Sequence, residues 1–303
     1  MTTTDPAPAP VAGADGSGPA GRAQRLDALR DAAYRIRRHA LDMGEVQGQG
    51  YIGQALGVAD ILAVAYKDVL NHRPEEPGWP ERDRFLLSIG HYAIALYAAL
   101  AEAGVLDTDE LTTYGSDDSR LPMSGMASYT PGMEISGGSL GHGLGVATGM
   151  ALGLRHRGSP ARVYNLLSDG ELDEGSTWEA ALACAHHGLD NVTAIVDVNA
   201  LQADGPTAGV LRTEPVTAKW EAFGWRALRV DGNDIDALVT AFDALRAHRG
   251  SPSVLVCDTR IGHGVPLLET REKAHFMRVG EDEWQIARDQ LDQTHRTRKG
   301  TDA

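Results

Sequence analysis

The sequence predicts an α/β protein whose central parallel sheet is covered by helices on both faces. Four apolar runs have strand length and β-branched content, at 163–168, 192–197, 226–231 and 253–258, and helical segments separate them. Strands that alternate with helices form parallel sheets that are buried on both faces. Ligands of such sheets bind at the carboxyl ends of the strands, so we expect any functional site at that edge.

Composition and charge narrow the classes of function. The chain has 303 residues, 42% hydrophobic and 23% charged, with a formal net charge of −14 at pH 7. Such an acidic chain is poorly suited to bind nucleic acid or an anionic membrane surface. The longest apolar stretch, from Tyr92 to Ala101, is shorter than the roughly 20 residues that cross a bilayer. The amino terminus also lacks a secretory signal pattern, so we expect a cytoplasmic protein.

The amino-terminal half is predicted to be mostly helical. Residues 1–24 are rich in Pro, Ala and Gly, and we expect them to form a disordered leader. From Arg25, apolar residues recur at steps of three and four, which predicts a helix that ends near Gly44. A glycine-rich loop should follow, then one helix over 58–69 and another over 92–103.

The carboxy-terminal half carries the predicted strands. The glycine-rich segment 137–154 predicts a helix before the first strand, and an alanine-rich helix should follow that strand. The domain is predicted to span 25–285, with a helix that fades into a polar tail over 286–303. Cys184 and Cys257 lie inside apolar runs, which is typical of small buried hydrophobic residues and not of a redox pair.

Oxygen donors follow two of the predicted strands. Asp169 and Gly170 come directly after the strand 163–168, and Asn199 lies just beyond the strand 192–197. Carboxylate, amide and backbone carbonyl oxygens suit Mg²⁺ or Ca²⁺, which also accept phosphate oxygens as ligands. Gly170 would let a backbone N–H approach a phosphate without a Cβ in the way. An isolated Asp-Gly pair is more often a surface turn, so the surrounding sequence decides between the two interpretations.

The segment 168–205 resembles the thiamine diphosphate motif, which begins Gly-Asp-Gly and ends in Asn, in the version found in transketolases. The likeness extends to Glu174-Gly175, Glu179 and the Asp204-Gly205 turn. Further segments resemble transketolases in the same order along the chain: RDRFLLSIGH, TPGMEISGGSLGHGLGVATGMALGL and TRIGHGVPLLETREKAHF. The resemblance covers about residues 25–280 and implies the thiamine diphosphate-binding fold.

The resemblance implies a role for each matching residue. The metal, Mg²⁺ or Ca²⁺, would be held by Asp169, Asn199 and the backbone carbonyl of Leu201, while the Gly170 N–H would contact the diphosphate. The other positions expected to bind the cofactor are His91, Gly138, Leu140, Glu171 and His275. The expected catalytic residues are His91, His275 and Glu174. The acidic residues expected at the subunit interface are Glu174 and Glu179.

Three positions depart from the family pattern. Ser168 replaces the first glycine of the motif, which is a minor change because serine is also small. Tyr51 and Ser124 stand where transketolases have histidines that contact the substrate. Both fall on the donor-substrate side, which predicts a substrate other than the usual sugar phosphates.

A complete transketolase chain continues into a second domain, which binds the aminopyrimidine and supplies the glutamate that activates the cofactor. This chain resembles only the first domain. The resemblance therefore implies the amino-terminal subunit of a split transketolase. With a separately encoded carboxy-terminal subunit, and two copies of each, it would transfer a two-carbon ketol unit from a ketose to an aldehyde.

Other functions stay open at this point. The chain could be the alpha subunit of a thiamine diphosphate 2-oxoacid dehydrogenase or decarboxylase, although the segments SIGH and TPGMEISGGSLGHG favour transketolase. It could also be a non-catalytic paralogue that holds the cofactor, against which the retained Asp169, Asn199 and Glu174 argue. A nicotinamide-binding fold is disfavoured, since no strand is followed by a GxGxxG turn with an acidic residue at the required distance.

Overall fold

A computed structural model describes residues 19–272 and 274–300 of the chain. In this part of the chain the α-helices are α1 (Pro19–Gln47), α2 (Ile52–Val64), α3 (Ala93–Glu102), α4 (Gly143–His156), α5 (Gly175–His186), α6 (Thr207–Val210), α7 (Val216–Ala222), α8 (Ile235–Ala247), α9 (Pro266–Glu269) and α10 (Glu283–Lys299). The strands are β1 (Gln49–Gly50), β2 (Arg84–Leu87), β3 (Val163–Ser168), β4 (Val192–Val198), β5 (Leu201–Gln202), β6 (Gly205–Pro206), β7 (Arg226–Asp231), β8 (Ser253–Asp258) and β9 (Met277–Arg278).

Five strands form one parallel sheet in the order β2-β3-β4-β8-β7. Successive side chains of a strand point to opposite faces, and in β4 the side chain of Ile195 enters the core formed with α1, α2, α3 and α8. Its neighbours Ala194 and Val196 enter the core formed with α4, α5 and α7. The predicted α/β class, with helices on both faces of a parallel sheet, is confirmed. The edge strand β2 is an addition to the four predicted strands.

Helix α2 is buried along its whole length, and its glycines explain why the sequence pattern resembled a loop there. All 13 of its residues are buried. A Cβ at Gly53 would clash with the Ile261 side chain, and a Cβ at Gly57 would lie 2.9 Å from the carbonyl oxygen of Arg260. These glycines therefore allow close helix packing, and the helix begins at Ile52 and not at residue 58. Its last turn continues as a π-helix over Ala65–Val69.

The first helix begins earlier than the sequence predicted. Because α1 starts at Pro19, residues 19–24 are helical and do not belong to the predicted leader. The Arg22 guanidinium donates to the side chains of Asp236 and Thr240 on α8, which anchors this first part of the helix. The remainder of the predicted leader, 1–18, lies outside the described residues.

The last helix also extends beyond the prediction, since α10 runs through most of the expected polar tail to Lys299. Leu291 is buried against the core, while Arg298 and Lys299 each donate to the Asp31 carboxylate of α1 at 2.7 Å. A narrow apolar stripe and ion pairs with α1 therefore hold a helix whose composition is mostly polar. Residues 301–303 lie outside the described residues.

Two observations bear on the class of protein. Cys184 and Cys257 are free and buried, one in each core, as the sequence predicted. Within residues 19–272 and 274–300, no helix has the length and apolar character needed to cross a membrane.

Candidate cofactor site

Two buried carboxylates lie next to each other at the carboxyl ends of β3 and β4. Asp169 is 1% exposed and Asp197 is fully buried, and the Asp169 amide donates to the Asp197 carbonyl at 2.9 Å. Burial, with the charge of Asp197, raises the pKa of Asp169 to about 6, and burial also raises the pKa of Asp197. Within the described residues, no Lys or Arg bonds either acid. Since a pKa of about 6 leaves Asp169 mostly ionised at pH 7, its negative charge favours binding of a cation.

Backbone and hydroxyl donors fix the orientation of the Asp169 carboxylate. Oδ1 accepts a hydrogen bond from the Gly170 amide at 2.9 Å. Oδ2 accepts from the Ala200 amide at 3.0 Å and from the Thr207 hydroxyl at 2.9 Å. Because an ionised carboxylate has about four acceptor positions, one remains for a further partner. Asp169 is thus held in place and still able to bind a metal ion.

Asn199 and Leu201 are brought beside Asp169 by a tight turn that enters the β5-β6 hairpin. The Asn199 Oδ1 accepts from the Leu201 amide at 3.0 Å, and its Nδ2 donates to Asp197 Oδ2 at 2.7 Å. Ala200, between them, has φ 61°, a left-handed conformation that is uncommon for a residue other than glycine. This conformation lets the Ala200 amide reach Asp169 while its two neighbours lie on the same side of the site.

This donor set fits a divalent cation that shares its ligands with a phosphate group. One carboxylate oxygen, one amide oxygen and one backbone carbonyl are hard ligands of the kind that Mg²⁺ and Ca²⁺ prefer. Among the described residues, no group of three or more His, Cys, Asp and Glu side chains can hold a metal ion. A cation here would therefore need phosphate oxygens or water to complete its coordination.

Three supporting residues were missed by the sequence analysis. The Tyr92 hydroxyl donates to Asp197 at 3.1 Å and accepts from the Asn199 amide at 2.9 Å. The Thr259 hydroxyl donates to the other oxygen of Asp197, and the Thr207 hydroxyl bonds Asp169. One signal was available: Asp197 closes an apolar strand, and a buried acid requires polar partners.

Aromatic rings cluster around His91, which lies in a 3₁₀ turn just before Tyr92. The ring centroid of Tyr51 lies 4.6 Å from that of His91 and 5.4 Å from that of His275. Phe276 is a third neighbour of Tyr51, at 5.2 Å. The structure therefore brings together both predicted histidines and one of the two departures from the family pattern. Since Tyr92 bonds Asp197, this cluster is continuous with the acid pair.

His91 should remain neutral well below pH 7. Burial, reinforced by the neighbouring His275, lowers its pKa from 6.5 to about 4. An unfolded chain binds a proton at this residue below pH 6.5 and the folded chain does not, so the free energy of unfolding should fall as the pH drops from 6.5 towards 4. NMR titration should place the ring midpoint near the lower value, and His91→Gln should flatten that part of the pH profile. A midpoint at 6.5 would contradict the burial described here.

The loop before α4 is held by Glu171 and does not begin the predicted helix, which starts only at Gly143. The fully buried Glu171 accepts hydrogen bonds at Oε1 from the Gly141 amide, at 2.8 Å, and from the Ser88 hydroxyl. Ser88 Oγ in turn accepts from the Gly143 amide at 3.0 Å. Burial raises the pKa of Glu171 to about 7. The Glu171 side chain therefore supports the loop, and its expected contact with the cofactor stays a prediction.

Glycines let this loop lie against the turn that carries His91. A Cβ at Gly90 would lie 2.5 Å from the carbonyl oxygen of Gly137, so neither backbone leaves room for a side chain. The next residue, Gly138, is exposed and has φ 118°, and a Cβ there would lie 3.2 Å from Ser124 Oγ. The Gly125 amide donates to the Gly90 carbonyl at 3.0 Å. Ser124 is thus placed beside Gly138 and against the His91 turn.

The remaining predicted residues surround the same region. Leu140 is half-buried and packs on the core, while Glu174 and Glu179 are exposed. A Cβ at Gly170 would lie 3.4 Å from the Gln202 side chain, which is an ordinary contact. The chain's own packing therefore tolerates a side chain at Gly170, and its role in diphosphate binding stays a prediction.

The fold and the site define a class of protein: an α/β protein suited to hold a phosphorylated cofactor, with a cation, at the carboxyl edge of a parallel sheet. Comparison with known families agrees. The family model "Transketolase, thiamine diphosphate binding domain" matches residues 29–297. The chain belongs to the transketolase family. The predicted family, fold, thiamine diphosphate binding and enzyme class, a transketolase-like transferase, are confirmed.

The chain is similar to several proteins of almost its own length. A transketolase family protein of Sinorhizobium fredii, y4mO, is 66% identical over 257 residues, which are 84% of this chain and 92% of that protein. An apulose-4-phosphate transketolase subunit of Actinobacillus succinogenes is 40% identical over 88% of this chain and 96% of its own length. The 6-deoxy-6-sulfo-D-fructose transketolase subunit SqwG of a Clostridium species is 37% identical over 87% and 96%.

Solved transketolase structures share the fold but are longer. The structure from Campylobacter jejuni superposes with a TM-score of 0.80 at 29% identity, over 89% of this chain and 43% of that one. The Leishmania mexicana transketolase gives a TM-score of 0.78 at 28% identity, over 90% and 46%. The chain thus spans less than half the length of these solved transketolases.

Proposed function

We propose that this chain is the amino-terminal subunit of a split transketolase, which transfers a two-carbon ketol unit from a ketose-type donor to an aldehyde acceptor together with a separate carboxy-terminal subunit. The observation that carries the proposal is the buried acid pair, Asp169 and Asp197, beside the Asn199 turn. Relatives that match it over nearly their whole length are named as transketolase subunits. An assembly of two copies of each subunit, in the cytoplasm, completes the proposal.

The residues of this chain would bind and orient the cofactor. Asp169, Asn199 and the Leu201 carbonyl would hold Mg²⁺, or Ca²⁺, and the Gly170 amide would donate to the diphosphate. Thiamine diphosphate supplies the electron sink for breaking and forming the bond next to the ketose carbonyl. Glu171 and Ser88 hold the loop that presents Gly138 and Leu140. Glu174 and Glu179, both exposed, would contact other subunits.

The substrate side of the site is lined differently from that of the family. Tyr51 contacts His91 and His275 at ring distances of 4.6 and 5.4 Å, and burial raises its pKa above the ordinary value of 10.0. A neutral phenol there is bulkier than an imidazole, while Ser124, whose Oγ lies close to Gly138, is shorter than a histidine. We therefore propose a donor that is modified or less hydroxylated than the common ketose phosphates.

The double variant Tyr51→His/Ser124→His tests this assignment. Restoring both imidazoles should raise kcat/KM for xylulose 5-phosphate about 10- to 100-fold, because each recovered hydrogen bond to a donor hydroxyl contributes about 0.5–1.5 kcal/mol. Both proteins are assayed as complexes with the partner subunit, cofactor and metal. Tyr129→His, at a tyrosine that is 55% exposed, serves as the matched control and should leave the rate unchanged.

Two outcomes would contradict the proposal at different levels. If the wild-type complex already uses xylulose 5-phosphate at ordinary transketolase efficiency and the double variant gains nothing, the altered substrate is wrong. If the complex binds the cofactor tightly and transfers a ketol unit from none of a panel of ketoses, the chain is the non-catalytic paralogue that the sequence left open.

A further inference from the structure

Gln54 is a buried amide in the first turn of α2 that has no assigned role. It is 1% exposed and lies three residues after Tyr51. Its Nε2 donates to the His275 carbonyl oxygen at 2.7 Å and lies 3.4 Å from Nδ1 of the same histidine. Its Oε1 is buried and has no hydrogen-bond partner among the described residues. The amide is therefore directed entirely at His275.

The orientation of the Gln54 amide follows from these contacts. A carbonyl oxygen only accepts, so the group that faces the His275 carbonyl must be the amide nitrogen and not Oε1. The second N–H of that nitrogen is then the group nearest to the ring. Because an N–H faces Nδ1, Nδ1 must be an acceptor, and the proton of the neutral imidazole lies on Nε2.

The backbone of Leu201, the first residue of the β5-β6 hairpin, lies near the imidazole of His275 and partly counteracts the lowering of its pKa by burial. Since the Gln54 N–H faces Nδ1, Nε2–H is the remaining ring donor.

We propose that Gln54 is a positioning residue that fixes His275 in its Nε2–H tautomer. The part of this inference that concerns cofactor binding rests on the proposed function, whereas the tautomer is a property of the chain alone. The hydrogen-bond partner of one ring nitrogen determines which nitrogen carries the proton. Residues that support metal ligands typically change metal affinity 10- to 100-fold when they are removed.

The tautomer can be measured on the full chain without cofactor. Ring ¹⁵N shifts from a long-range ¹H–¹⁵N spectrum, assigned with His275→Gln, should show Nδ1 unprotonated and Nε2 protonated in the wild type. In Gln54→Glu, a carboxylate replaces the donor and should draw the proton to Nδ1. In Gln54→Leu the ring should lose its single tautomer. Gln47→Leu is the matched control, since Gln47 donates to the Tyr114 carbonyl at 2.8 Å, a bond of the same kind elsewhere.

The outcomes separate this inference from the proposed function. If Gln54→Glu folds and the ring ¹⁵N shifts of His275 are unchanged, the inferred role of Gln54 is wrong. If that variant does not fold, unchanged ring shifts in Gln54→Leu contradict the same role. Calorimetry with Mg²⁺ should show that Gln54→Leu binds thiamine diphosphate about 10-fold more weakly than the wild type. Equal affinity would show that Gln54 does not support the metal site. Absence of ketol transfer by the wild-type complex would count against the proposed function only.

Discussion

Asp169→Asn should abolish metal-dependent binding of thiamine diphosphate and leave the fold intact. The substitution keeps the shape of the side chain and removes the one ionisable oxygen donor of the predicted metal set. Supporting contacts of metal ligands alone change affinity 10- to 100-fold, so loss of the carboxylate itself should weaken binding by more than about 100-fold. Isothermal calorimetry with thiamine diphosphate and Mg²⁺ measures the effect.

The acid pair provides an internal check on this result. Asp169 and Asp197 are adjacent and buried, and each disfavours ionisation of its neighbour. Removing the charge relieves this repulsion, but the amide nitrogen of the variant would face a backbone N–H that the carboxylate accepts in the wild type. A melting curve without metal therefore accompanies the calorimetry and distinguishes a lost ligand from a damaged fold. Asp204→Asn is the matched control, because Asp204 is an exposed acid in the nearby β5-β6 hairpin. If Asp169→Asn binds thiamine diphosphate with Mg²⁺ as tightly as the wild type, the assignment of the metal site is wrong.

The purified chain alone should show no ketol transfer, and activity should appear and saturate as a carboxy-terminal partner is titrated in. The chain spans less than half of the solved transketolases, and we expect the activating glutamate on the part of those proteins that it does not match. Turnover by the chain alone, in a preparation shown by mass spectrometry to be free of partner, would refute the split assembly.

A surface variant identifies where subunits meet. Leu182 is 56% exposed and lies one helical turn after Glu179 on α5. An exposed apolar side chain beside the predicted interface acids is expected to be covered in the assembly. Leu182→Asp should therefore shift the titration midpoint to higher partner concentration, measured by activity and by analytical ultracentrifugation. Ile286→Asp, at an apolar residue of α10 that is 45% exposed, should leave the midpoint unchanged.

The sheet was predictable because a buried parallel strand has a simple signal. Val163–Ser168 and Val192–Val198 are mostly apolar segments, and polar residues follow directly at Asp169 and Asn199. This pattern predicted both the strands and the edge of the sheet where oxygen donors gather. Helix α2 was harder, because Gly53 and Gly57 give the sequence of a loop and serve close packing instead. No local pattern distinguishes a glycine that bends the chain from one that admits a neighbouring backbone.

The sequence predicted candidate ligands of the site and did not predict the residues that support them. Asp169 and Asn199 belong to a motif of fixed spacing, whereas Asp197, Tyr92 and Thr259 act through contacts between distant segments. Glu171 shows the same limit: its place in the motif suggested a cofactor contact, and only the fold shows that its side chain points to Ser88 and Gly141. Supporting hydrogen bonds depend on tertiary structure, and the sequence does not encode them as a local pattern.

The burial of helix α2 also bears on how donor preference can diverge during evolution. The helix body has no exposed side chain, and Gly53 and Gly57 have no room for a Cβ. Most substitutions in the helix would therefore destabilise the protein and be selected against. Tyr51 differs, because it is only half-buried, precedes the helix and directs its ring at the histidines. Under the proposed function, an exchange at a position such as Tyr51 can change the substrate preference while the scaffold behind it stays unchanged.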